Sequence, residues 1–246
     1  MKENGIKLQN IVKKFDDITA VDDLSFEVEA GELFGLLGPN GAGKTTTIKI
    51  LTGLLKPTSG EAKVGGYDLK KFIGKIKEMI GVCPQEPAFY PYLTGRENVE
   101  LFGNLHGMSK TKIKERAEEL LAKVGLVEGA TRKAGKYSGG MVRRISLAMA
   151  LINDPDIAFL DEPTVAMDVQ SRRATWDFIR DLKTQGKTVI LTTHYIEEAE
   201  MLCDRVGIID RGKLIALDTP KALMAEYDAK DLEDVFIKIT GRKIRE

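Results

Sequence analysis

An α/β fold is predicted for this 246-residue chain by three observations. Gly38-Pro39-Asn40-Gly41-Ala42-Gly43-Lys44-Thr45-Thr46 matches the pattern G-x-x-x-x-G-K-[ST] of a phosphate-binding loop. The loop lies between a short apolar run, Leu33-Phe34-Gly35-Leu36-Leu37, which reads as a buried strand, and Ile48, Leu51 and Leu55, which recur at helical spacing. Further on, two more strand-like runs end in chemically capable side chains: Ile157 to Leu160 leads into Asp161-Glu162, and Thr188 to Thr193 leads into His194. Open α/β sheets collect their chemistry at the carboxyl ends of their strands in this way.

The loop has a plain physical logic. Glycines at 38, 41 and 43 let the backbone turn tightly and bring its N–H groups close to phosphate oxygens. The helix that follows aims its positive end at the same place. Lys44 supplies a cation for the β- and γ-phosphates, and the Thr45 hydroxyl is placed to ligate Mg²⁺. Alone, this motif indicates a nucleoside triphosphate and not the use made of it.

Composition narrows the class. Hydrophobic residues make up 43% and charged residues 30%, ordinary values for a globular chain, and Lys+Arg 37 balances Asp+Glu 37. No net field draws the chain to nucleic acid or anionic lipid. Cys83 and Cys203 have no ligand spacing, so neither a disulfide framework nor a zinc site is expected, and a reducing compartment fits. Met1-Lys2-Glu3-Asn4-Gly5 is polar and carries no apolar leader core. The longest apolar candidate, Ile145 to Ile152, is far short of a spanning helix, so any membrane role is expected to run through another chain.

In order, residues 6 to 28 read as two strands joined by a turn at Asp16-Asp17, with Phe15 between them as either a purine-stacking aromatic or a core one. A strand is expected from Glu61 to Tyr67, bent at Gly65-Gly66, then a charged short helix from Lys70 to Met79, then a buried strand from Ile80 running out through Pro84 to Gln85. From about 86 to 154 the pattern turns helical, with Thr94 as a candidate cap and Ser109 to Val124 as an amphipathic helix whose apolar face is Ile113, Ala117, Leu120, Leu121 and Val124. This block reads as a helical insertion into the α/β core and closes with Tyr137-Ser138-Gly139-Gly140-Met141 and a helix through Arg143, Leu147 and Leu151. After Asp161-Glu162-Pro163 come Asp168, a helix from about Ser171 to Thr184, the strand to His194, another helix, two strands joined at Arg211-Gly212, and a short helix opened by Pro220. The main domain is expected to span residues 1–227 and a short polar tail residues 228–246, helical around Leu232, Val235, Phe236 and Ile239.

One ordered set now stands in the chain: the loop at 38–46, Gln85, Ser138-Gly139-Gly140, Asp161-Glu162, Asp168 and His194. In that order and over essentially its whole length, the chain resembles the nucleotide-binding subunit of ABC transporters. Ser-Gly-Gly shortly before the carboxylate-ended strand is the most specific part of the likeness. The resemblance implies a P-loop NTPase (RecA-like) core, an N-terminal antiparallel β subdomain and an inserted α-helical subdomain. It implies ATP and Mg²⁺ as cofactors, a homodimer with ATP at its interface, and a separate integral-membrane permease that holds the chain at the cytoplasmic face of the cell membrane. No nucleic acid partner is expected.

Residue by residue, the resemblance implies that Phe15 stacks on adenine. Gly38, Pro39, Asn40, Gly41, Ala42, Gly43, Lys44, Thr45 and Thr46 cradle the phosphates; Thr45, Gln85 and Asp161 attend the metal. Glu162 polarises the attacking water, with His194 and Gln85 as switch residues around the γ-phosphate. Ser138, Gly139 and Gly140 complete the site of the opposite subunit, which a helix N-terminus facing a γ-phosphate makes physically sensible. His106, the only other histidine, has no partner pattern.

The chain departs from the family pattern at Tyr137 and Met141, where the signature usually has Leu and Gln, and at Val165-Ala166-Met167 before Asp168. The Tyr-Ser-Gly-Gly-Met form, the lead-in Gly35-Leu36-Leu37-Gly38 and Leu232-Glu233-Asp234-Val235-Phe236 resemble the export branch related to antibiotic-resistance ATPases. An alternative is a soluble ABC-type ATPase acting on ribosomes or DNA; against it stand a single cassette, no long heptad insertion and no basic excess. A GTP-binding switch would need a guanine-reading Asn-Lys-x-Asp, and none is present.

Overall fold

The computed structural model describes residues 5–241. The polar segment Met1–Asn4 and the end of the tail, 242–246, lie outside the described residues. β1 (Ile6–Phe15) and β2 (Ile18–Val28) form an antiparallel hairpin turned at Asp16-Asp17. β3 (Leu33–Leu37) ends at the glycine-rich loop, and α1 (Lys44–Leu51) follows it. This helix stops before Leu55, short of where the spacing predicts. Gly43 turns the chain into it at φ 107, and Gly53 at φ 70 carries the chain away, so Leu54 stands exposed.

The strand expected from Glu61 to Tyr67 is two strands. β4 (Ser59–Val64) and β5 (Tyr67–Asp68) fold back on each other because Gly65 and Gly66 both take positive φ. The helix expected from Lys70 is only α2 (Ile73–Met79). The Asp68 carboxylate accepts from the backbone N–H of Lys70 and Lys71, which holds that stretch in a turn instead. With β1 in the middle, β2-β1-β4-β5 make a four-stranded antiparallel sheet.

The second sheet has the order β10-β9-β3-β8-β7-β6. Here β6 is Ile80–Cys83, β7 Ile157–Asp161, β8 Thr188–Thr193, β9 Arg205–Asp210 and β10 Lys213–Asp218. All pair in parallel except β10, which is antiparallel to β9 at the edge. Both faces of the parallel strands are buried, as sheets of this kind require. Phe34, Leu36, Phe159 and Ile190 point into one apolar cluster with α1 and the antiparallel sheet, where Phe34 stacks on Phe26 at 5.1 Å. Their neighbours Leu33, Leu37, Leu160, Val189 and Leu191 point into the other cluster, shared with the helices.

The helical block between β6 and β7 contains α3 (Gly95–Leu105), α4 (Lys110–Lys123) and α5 (Gly139–Ala150). Thr94 caps α3 with a full capping box: its hydroxyl accepts from Glu97 N–H, and Glu97 accepts from Thr94 N–H. Ser109 caps α4, whose face Ile113, Ala117, Leu120 and Leu121 is buried as the periodicity predicts. After β7 come α6 (Val169–Thr184), α7 (Ile196–Leu202), α8 (Pro220–Glu226) and α9 (Leu232–Thr240). The stretch read as a polar tail buries Leu232, Val235 and Phe236 in the same cluster as the parallel sheet. Among the described residues, no helix is long and apolar enough to cross a membrane.

Candidate nucleotide site

The parallel order places β3, β8, β7 and β6 side by side with their carboxyl ends on one edge. The glycine-rich loop, Asp161-Glu162, His194 and Gln85 therefore converge although they are far apart in sequence. A cleft of about 310 Å³ opens there, lined by Ala20, residues 39–46, Gln85 and Glu162.

Two glycines in the loop are sterically compulsory. A Cβ on Gly38 would lie 2.3 Å from the Ile209 carbonyl, and one on Gly43 would lie 2.5 Å from that of Ala20. Lys44 is buried, and its ammonium donates to the carbonyls of Gly38 (2.7 Å) and Pro39 (3.2 Å). It also lies 3.4 Å from Glu162. Burial pulls the Lys44 pKa below its ordinary value, against the opposing pull of Glu162 and Asp161.

The Thr45 hydroxyl is 3.2 Å from Gln85 Oε1 and 3.2 Å from Asp161 Oδ1. Three hard oxygen donors thus meet beside the phosphate cradle, a donor set that suits Mg²⁺. Asp161 is held from behind by the Thr192 hydroxyl, which also accepts from the Glu162 N–H. Glu162 itself is 2% exposed and stands at φ 54. That left-handed backbone is unusual for a residue other than glycine and marks a side chain whose direction is imposed. Its Oε2 meets His194 Nδ1 at 2.7 Å. Tyr195 lies against the His194 ring at 4.2 Å, and the Arg172 guanidinium sits 5.0 Å from the other ring, that of Tyr195.

Some predicted site residues stand apart. Phe15 does not line the cleft; it is 43% exposed at the hairpin end, with the Lys13 ammonium 4.8 Å from its ring, while Ala20 of the same hairpin does line it. Ser138 and Gly139 are exposed at the start of α5, and Ser138 caps that helix. Gly139 and Gly140 face Ala166 of the loop before Asp168 closely enough that an added Cβ would lie 3.4 Å from it. The two unusual flanks turn inward onto one place: the Tyr137 hydroxyl donates to the Gly129 carbonyl, and Met141 packs beside the same glycine. Asp168 accepts from Ser171 N–H and Oγ and so opens α6, two residues before the start that the sequence predicts.

Three functional-looking groups escape the motif reading. Thr192 is a buried hydroxyl inside an apolar strand, a signal visible in the sequence. Glu198 is fully buried on α7, where one oxygen accepts from both Thr164 Oγ1 (2.8 Å) and Trp176 Nε1 (2.9 Å). Burial pushes its carboxyl pKa up. Arg143, on α5, is 3% exposed and, among the described residues, donates only to backbone carbonyls.

Comparison with known proteins decides the family. The ABC transporter family matches residues 21–165, and the linearmycin resistance ATP-binding protein of Bacillus subtilis (strain 168) is 44% identical over 98% of this chain and 76% of its own length. The chain belongs to the ABC transporter family. Within that family it is similar to the daunorubicin resistance ATP-binding protein of Streptomyces coeruleorubidus, 40% identical over 98% of this chain and 76% of that one. A solved ATP-binding subunit of an ABC transporter superposes with a TM-score of 0.87 at 26% identity, over 96% of this chain and 99% of that chain. A dimeric ATP-binding cassette in a post-hydrolysis state with ADP and Pi gives 0.81 at 31% identity, over 87% and 98%. This ABC subunit is an ATP-binding ATPase of the transporter class, as its motif order implies.

Proposed function

We propose that the chain is the ATP-hydrolysing motor of an export transporter. Two copies bind two ATP molecules head to tail and drive a separate membrane-spanning permease from its cytoplasmic face. The observation that carries the ATPase chemistry is the Glu162–His194 pair at the ends of adjacent strands, facing the Lys44 loop. Export is supported by likeness to proteins named for linearmycin, daunorubicin and Nod factor. The dimer is supported by likeness to a cassette solved as one.

The roles follow from position. The backbone N–H groups of the loop from Asn40 to Thr46 and the Lys44 ammonium bind the β- and γ-phosphates, the ammonium exchanging the Gly38 and Pro39 carbonyls for phosphate oxygens. Thr45, Gln85 and Asp161 would hold Mg²⁺, and the ion when bound would supply positive charge beside those phosphates. Glu162 accepts a proton from the water that attacks in line, and His194 keeps that carboxylate aimed. Phe15 stacks on adenine at the hairpin end. Ser138, Gly139 and Gly140 face the γ-phosphate bound by the opposite copy, where the free N–H groups of the α5 N-terminus stabilise charge.

The test is a pull-down of the tagged chain from gently solubilised membranes, with mass spectrometry of what accompanies it. A polytopic partner is the expected result, and its identity narrows the cargo. Ribosomes or DNA in its place, with no spanning chain, would overturn the transporter reading and leave the ATPase standing.

A further inference from the structure

Arg143 joins parts of the molecule that serve two different nucleotides. It lies on α5 five residues after Ser138, and at about 1.5 Å of rise per residue the two belong to one rigid stretch of helix. Its guanidinium is buried, and no carboxylate among the described residues lies within ion-pair reach of it. Instead Nε and Nη2 donate to the Glu162 carbonyl at 2.9 and 2.6 Å, and Nη2 also to that of Asp161. Nη1 donates to the carbonyls of Pro84 (2.6 Å) and Gln85 (3.0 Å). A buried cation needs its hydrogen-bond partners kept in place, because losing one leaves the charge uncompensated. The planar fork of the guanidinium fixes those carbonyls relative to one another as a single lysine ammonium could not.

The geometry points to Arg143 as the positioning residue that couples the two ATP sites of the dimer. This rests on the head-to-tail reading above. Asp161, Glu162 and Gln85 attend the nucleotide of their own subunit, whereas Ser138 attends the opposite one. Any shift of Gln85 or Glu162 on nucleotide binding is passed through Arg143 to α5, and so moves Ser138 as seen by the second site. Coupling of this kind is reciprocal and shows as cooperativity in ATP concentration.

The experiment compares wild type with Arg143→Met and Arg143→Lys in the full chain. ATP affinity of the monomer is measured with a fluorescent ATP analogue, and ATP-dependent dimerisation is followed in a Glu162→Gln background. The steady-state Hill coefficient is then read with Glu162 intact. The expected result is a wild-type Hill coefficient above unity that falls toward unity in both variants. Monomer affinity stays within about twofold, which is under half a kcal/mol. A merely structural role would lower thermal stability and the active fraction but leave the Hill coefficient of the folded protein unchanged, and that outcome overturns the proposal. If Arg143→Met does not fold, Arg143→Lys, which keeps the charge but not the fork, decides alone. Absence of an ATP-dependent dimer in the Glu162→Gln protein would instead overturn the dimer reading on which the coupling depends.

Discussion

The carboxyl edge of the parallel sheet and the helical block between β6 and β7 are built by opposite means. At the sheet edge the buried groups are polar or charged: Lys44, Asp161, Glu162, Thr192 and Thr193 are all at or below 5% exposure. Asp161, Glu162 and Thr192 are held by bonds that cross 30 positions or more. In the helical block the buried surface is mostly apolar, as in α4, and apart from Arg143 on α5, which reaches across to the sheet edge, polar work such as that of Thr94 and Ser109 is local capping. Substitution at the edge should therefore cost chemistry while the fold survives, and substitution in the block should cost stability while the chemistry of the folded protein survives.

The hardest test of the contrast is Glu162→Gln. The amide keeps the shape and removes the base, so turnover should fall by about 10²–10⁴ while ATP still binds and a closed dimer accumulates. Turnover within a few-fold of wild type would remove Glu162 from the base role. The matching change in the block is Leu120→Ala on α4, where the side chain is 2% exposed. The cavity and lost burial should cost about 2–5 kcal/mol in urea unfolding, with kcat per folded molecule unchanged. A loss of kcat beyond the unfolded fraction would mean that the block communicates with the sheet edge through more than α5.

These two regions also differ in how far the sequence discloses them. The phosphate loop is contiguous, and strand, turn and helix signals agree with it, so Gly38 to Thr46 is legible from local pattern alone. The α4 stripe and the Thr94 box are legible for the same reason, since their physics closes within four residues. The supports of the sheet edge are not. Arg143 meets Pro84 across 59 positions, and Glu198 meets Thr164 across 34. No spacing rule links such pairs before the strand order is known. In the tail, the spacing of Leu232, Val235 and Phe236 discloses the helix α9, but not the surface that buries it, which exists only once the sheet and its helices are assembled.

Glu198 sharpens the comparison because it sits at the sheet edge yet works by holding structure. Removing its accepting oxygen in Glu198→Ala leaves Thr164 and Trp176 as buried donors without partners, at a cost of about 2 kcal/mol. Glu198→Gln keeps that oxygen and should stay near wild type in both stability and kcat. An equal loss in both variants would show that the charge matters and not the acceptor. In the helical block, Thr94→Ala removes the cap of α3 and should cost about 1 kcal/mol, read as a shift in the urea midpoint with ATPase activity retained.

The smallest effect lies where the two regions touch. Ala166 stands at φ 62 in the loop between Glu162 and Asp168, and its carbonyl is the part that Gly140 of α5 approaches. A left-handed backbone costs an alanine about 1–2 kcal/mol, and glycine recovers it while giving back about 0.5–1 kcal/mol of chain entropy. Ala166→Gly should therefore stabilise the protein by about 0.5 kcal/mol, the difference of those two terms. Because the carbonyl that meets α5 is unchanged, turnover should stay within about twofold, under half a kcal/mol of barrier. Stabilisation with unchanged turnover would mark the strain as incidental to the chain's alanine. Stabilisation with lost turnover would show that the rigid left-handed residue holds the loop against α5, so that the strain belongs to the chemistry of the edge and not to the packing of the block.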